Sequence, residues 1–73
     1  MKLNELCLSC INDDVLILNR YGDEIAIWRH KDCDILRYDG REESVWDSDI
    51  IEIYASIVYE DGAPKPIVTA RIA

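Results

Sequence analysis

The chain has 73 residues, three cysteines and one histidine, and its 15 acidic against 8 basic residues give a formal charge of −7. A chain this short holds one domain, spanning 1–73, and sits where hydrophobic burial alone barely offsets the entropy of ordering it. The acidic balance argues against direct electrostatic binding of nucleic acid, and its apolar runs are far shorter than the roughly 20 residues needed to cross a bilayer as a helix.

From the N-terminus, Leu3, Leu6, Cys7 and Cys10 recur at three- and four-residue intervals, which predicts a short helix over residues 2–10 with Asn4 as a possible N-cap. Val15–Leu18, the turn chemistry of Tyr21-Gly22-Asp23 and Ile25–Trp28 predict a β-hairpin. Pairing about that turn sets residues 10–13 opposite 30–33. Between Lys31 and Asp49 the pattern is irregular, with Asp39-Gly40 as a turn signal and a short strand or helical turn expected within a loop. Ile50–Tyr59 alternates as a strand, and the row Ile51, Ile53, Ala55, Ile57 and Tyr59 is expected to face the core. Residues 60–66, with one glycine and two prolines, read as a loop. A final strand over Ile67–Ile72 then turns Val68, Ala70 and Ile72 to one side. The expected fold is α+β: a short N-terminal helix packed on an antiparallel sheet of two β-hairpins, stapled by a structural zinc.

The staple follows from Cys7 and Cys10, a C-x-x-C pair, and His30 and Cys33, an H-x-x-C pair, which together use every cysteine and the sole histidine. Two such pairs joined by a structured segment match a tetrahedral Cys₃His zinc site. Three cysteines cannot all form disulfides, and the N-terminus lacks the apolar run of a signal peptide, so a reduced, cytoplasmic protein is expected. The plainer alternative is that three small apolar side chains fill a core. Redox chemistry fits less well, because the C-x-x-C pair falls late in its helix and no βαβ unit surrounds it. Four protein ligands leave no open coordination position, so such a zinc is structural and no catalysis is expected from it. The adjacent carboxylates Asp13-Asp14 and Glu42-Glu43 are expected to be solvated, since sequence adjacency does not set two groups across a scissile bond. No phosphate-cradling or nucleophile-elbow motif occurs. Trp28, Trp46, Tyr38 and Tyr54 are expected in core and interface, with Tyr54 the aromatic best suited to a partner.

With Cys7, Cys10, His30 and Cys33 on a small acidic α+β scaffold, the chain resembles a zinc-containing type II-A anti-CRISPR protein encoded by phage. The strand Ile50-Ile51-Glu52-Ile53-Tyr54-Ala55-Ser56 is also similar to those of small phage β-rich proteins. Anti-CRISPR proteins share a function rather than a fold, so no catalytic or binding motif is carried over. The resemblance implies inhibition of Cas9 by binding within the host cytoplasm, with no chemistry on the target. Cas9 holds its nucleic acids in basic channels, which a compact polyanion can occupy. The partner-binding surface expected on this basis comprises Asp39, Glu42, Glu43, Asp47, Asp49, Glu52 and Tyr54. The alternative is a generic zinc-stabilised interaction module of a phage or bacterial machine.

Overall fold

The computed structural model describes residues 1–9, 13–37 and 45–73. Its elements are a helix α1 (Leu3–Leu8), strands β1 (Val15–Leu18) and β2 (Glu24–Arg29), a 3₁₀ turn (His30–Asp32), and strands β3 (Asp34–Arg37), β4 (Ile50–Glu60) and β5 (Ala63–Ile72). The five strands form one sheet in the order β3-β2-β1-β5-β4.

The sheet is mixed rather than antiparallel. Two hairpins are present as expected, β1–β2 and β4–β5, but they join through a parallel pairing of β1 with β5 that sets Val15 beside Val68 and Leu18 beside Arg71. Parallel neighbours require a long crossover, and the chain between β1 and β5 supplies it while adding β2, β3 and β4.

Helix α1 is shorter than the periodicity suggests. Its N-cap is Lys2, not Asn4, and the Lys2 backbone N–H donates to the Glu5 carboxylate at 3.0 Å. Six residues are too few to hold a helix in water, so tertiary contacts must hold this one. The Leu3 and Asn4 N–H groups, unsatisfied within the helix, donate to the carbonyls of Ser48 and Trp46, both at 3.0 Å. The Ile50 N–H in turn donates to Met1 O at 2.9 Å. The N-terminus is thereby stitched to the approach to β4.

Leu3, Leu6 and Cys7 face inward from α1 and share a core with Val15, Ile17, Ala26, Trp28, Val45, Ala70 and Ile72. The predicted inward row of β5 is found, with Ala70 and Ile72 buried and Val68 packed at the margin. The opposite face of the sheet is also partly dry, since Ile27, Ile67 and Thr69 are buried.

The first hairpin closes where the sequence places it. Asn19 Oδ1 accepts from the N–H groups of Tyr21 and Asp23 at 2.9 and 3.0 Å, and Gly22 adopts φ +88°. The second closes through Asp61-Gly62, both with positive φ, as a two-residue type I′ turn requires. Residues 63–66, expected as loop, extend β5 instead.

The row on β4 expected to face the core does not. Ile53, Ala55, Ile57 and Tyr59 lie on the α1 side of the sheet but are exposed, because β4 is an edge strand and α1 covers only the strands nearer the centre. Ile51 is an extra residue: Ile50 pairs with Ile72 and Glu52 with Arg71, so a bulge intervenes and Ile51 is itself exposed. Alternation reports that one face is apolar; it does not report what covers that face.

Candidate functional site

Of the expected zinc ligands, Cys7, His30 and Cys33 lie within the described residues, and Cys10 lies outside them. His30 and Cys33 are brought together by the 3₁₀ turn, in which residues three apart eclipse. Cys33 caps that turn in a left-handed conformation, φ +49°, and its thiol contacts the His30 carbonyl at 3.5 Å. Cys7 is buried in the core on the inner face of α1, where burial pushes its thiol up to about 12. A thiol so placed is neutral unless a cation accompanies it; zinc is such a cation. The His30 ring meets the core residue Trp28 edge-on, centroids 5.5 Å apart. Among the described residues, no three of these or other His, Cys, Asp and Glu side chains converge as a metal requires.

The structure instead gathers a cluster of charge at the far end of the first hairpin. Asp14 was expected to be solvated, but it is 7% exposed. One carboxylate oxygen accepts from Arg29 at 3.0 Å and Lys65 at 2.9 Å, and the other accepts from the His30 backbone N–H at 3.0 Å. Burial alone would raise the Asp14 carboxyl. The Lys65 ammonium, the His30 N–H and the Arg29 guanidinium outweigh it and hold the group below the ordinary carboxylate range.

Glu60 completes the cluster, accepting from Arg29 at 3.1 Å and lying 3.5 Å from Lys65. Its hydrogen bond from Arg29 and the nearby Lys65 charge lower its pKa, while Glu60 and Asp14 raise that of Arg29 and Asp14 raises that of Lys65. Arg29 lies on β2 and Glu60 on β4, with β1 and β5 between them. Across a flat sheet these strands would stand about 14 Å apart. Glu60 also lies well beyond the end of β1, so the far half of the β4–β5 hairpin must coil over this face to make the contact. A cleft of about 280 Å³ lies over the cluster, lined by Asp13, Asp14, Arg29, His30, Glu60 and Lys65 among others. Its Arg29 and Lys65 are already matched by Asp14 and Glu60, so the arrangement is a clasp joining the hairpins.

Sequence reasoning missed Asp14 as a hub. The hairpin register contained part of the signal, since extending Val15↔Trp28 by one residue sets Asp14 beside Arg29. Nothing local marked Lys65 or Glu60.

Of the expected partner-binding residues, Asp47, Asp49, Glu52 and Tyr54 fall on the approach to β4 and its first half, all exposed. Asp39, Glu42 and Glu43 lie outside the described residues. Asp49 pairs with Lys2 at 3.1 Å and Glu52 with Arg71 at 3.5 Å. Asp47 contacts Asn4 at 3.5 Å, and its carbonyl accepts from Lys2 at 3.1 Å. No helix among the described residues is long and apolar enough to cross a membrane. No family model, curated protein or solved structure matches the chain.

Proposed function

We propose that the protein acts without catalysis, by engaging a basic protein surface through its acidic exterior. Following its resemblance to type II-A anti-CRISPR proteins, the surface proposed is that of a Cas9 effector in the bacterial cytoplasm. The observation that carries the reading is the disposition of the cations. Lys2, Arg29, Lys65 and Arg71 are each held by the chain's own carboxylates. Asp13, Asp23, Glu24, Asp32, Asp34, Asp47 and Asp61 are exposed, and outnumber the other exposed cations among the described residues, Arg20 and Lys31. Such a surface repels nucleic acid and attracts the basic channel that would hold it.

Zinc belongs to the same proposal as a staple on Cys7, Cys10, His30 and Cys33. Elemental analysis of protein purified without chelator should find about one zinc per chain, and Cys33→Ala should lower zinc content and melting temperature together. Absence of zinc would remove the staple and leave the binding reading standing.

The deciding experiment is a Cas9 cleavage assay with the purified protein. Inhibition should approach saturation near stoichiometric ratios and weaken as salt rises. Joint replacement of Asp47, Asp49 and Glu52 by lysine should weaken it while the circular dichroism is kept. Failure to inhibit several orthologues at large molar excess would overturn the Cas9 assignment in favour of a generic interaction module.

A further inference from the structure

We propose that β4 is a pairing edge for a second copy of this chain, joined antiparallel to its own β4 about Ala55. The inference stands apart from the identity of any protein target.

Backbone geometry determines what the edge offers. In a hairpin closed by a two-residue turn, the residues flanking the turn exchange both backbone hydrogen bonds, and the pattern alternates from there. Glu60 and Ala63 flank the Asp61-Gly62 turn, and the ladder runs unbroken to Glu52↔Arg71. From Glu52 to Glu60 the even-numbered residues of β4 therefore spend their N–H and C=O on β5, while Ile50, beyond the bulge, gives its N–H to Met1 O on the outer side. Ile53, Ala55, Ile57 and Tyr59 turn theirs to the free edge. The other side of the hairpin agrees: Val68, opposite Ala55, donates its N–H to Asp14 O at 3.1 Å, away from β4.

The two long edges of this hairpin are treated differently. Beyond the end of β1, no described strand pairs with β5 on that side, and there it carries Pro64 and Pro66. Both share Val68's parity, so each proline removes an N–H that would otherwise point outward. That is how a sheet edge is blunted against further pairing. β3, the other outer strand, is only four residues long. β4 runs for eleven residues, and from Ile53 to Tyr59 it has no proline, lysine or other charge. The side chains of its outward-bonding residues form an exposed apolar row, with Ile57 65% and Tyr59 75% exposed. An edge offering both bare backbone and an apolar face is suited to another strand.

The sequence of the edge fits itself. Pairing about Ala55 sets Ile53 opposite the second copy's Ile57, Ala55 opposite Ala55, and Ile51 near Tyr59. It also sets Glu52 opposite Val58, so no glutamate faces another. Glu52 and Glu60, at the ends of the strand, are already matched by Arg71 and by Arg29 with Lys65. The charge of −7 on each copy therefore does not concentrate at the contact.

Sedimentation equilibrium and amide exchange of the intact protein test the proposal. The mass should rise with concentration from the 8.4 kDa monomer to twice that value. Exchange at Ile53, Ala55, Ile57 and Tyr59 should slow about tenfold or more across the same range, with the even positions unchanged. Ala55→Pro removes an outward N–H and no bond to β5, so it should abolish the dimer and keep the native circular dichroism. Ile57→Lys should do the same if the proline disturbs the strand. A monomer at millimolar concentration, or a dimer unaffected by Ile57→Lys, would overturn the proposal.

Discussion

The Asp14 carboxylate and the Lys65 ammonium lie 2.9 Å apart although 51 positions separate them in the chain. The contact ties the second hairpin to the first, and it is made by a nearly buried anion shared between two half-exposed cations. Removing the anion leaves both cations to Glu60 alone. Asp14→Asn should destabilise the fold by about 1–3 kcal/mol, below the full cost of breaking a buried pair because Arg29 and Lys65 reach solvent. Lys65→Met should cost less, since Arg29 and the His30 N–H still serve Asp14. Urea unfolding of the three proteins measures both differences.

The same cluster sets the acid limb of stability. Asp14 and Glu60 have folded pKa values below their ordinary 3.8 and 4.5. Lowered carboxyl pKa values contribute stability that is complete above the unfolded values and is lost as pH falls through the folded ones. The melting temperature should therefore hold steady down to about pH 5 and fall below about pH 4.5. In Asp14→Asn the fall should be shallower. An equal slope in both proteins would mean that other carboxylates govern acid unfolding.

Thiol labelling separates a metal-bound quartet from free cysteines. In chelator-treated native protein at pH 8, Cys33 is exposed and should react quickly, whereas the buried Cys7, with its thiol pushed up to about 12, should react only on unfolding. Zinc on the quartet should protect Cys33 as well. Mass spectrometry of the alkylated protein with and without zinc reports which cysteines change.

Burial distinguishes two isoleucines that alternation treats alike. Ile17→Ala should cost about 2–5 kcal/mol, enough to unfold much of the population, because Ile17 is fully buried. Ile57→Ala should change monomer stability by under about 1 kcal/mol, because Ile57 is exposed. Thermal denaturation at micromolar concentration compares them.

Local chemistry made much of this fold legible. Leu3, Leu6 and Cys7 announced a helix through their spacing. Tyr21-Gly22-Asp23 announced the first hairpin, because few sequences tolerate the positive φ found at Gly22. The alternation of Val68, Ala70 and Ile72 gave the inward face of β5 correctly. Pro64 and Pro66 misdirected the reading of β5, since proline ends a strand only where its missing N–H is needed by a neighbour, and here both sit at positions whose N–H would point away from β4. Of the candidate site, the spacing of His30 and Cys33 was readable, and the two stand at the start and the cap of one 3₁₀ turn; the burial of Cys7 in the core was not readable, because it depends on how α1 meets the sheet.

By itself, then, the sequence determined the α+β class, the positions of the two hairpins and the acidic charge. These follow from periodicity, turn residues and charge, which act over a few neighbours or by simple sum. Only the tertiary structure decided that β1 pairs in parallel with β5, that Asp14 is a buried hub and that the apolar row of β4 is exposed. Each depends on which strand lies beside which, a choice made by long-range packing and expressed in no local run of residues.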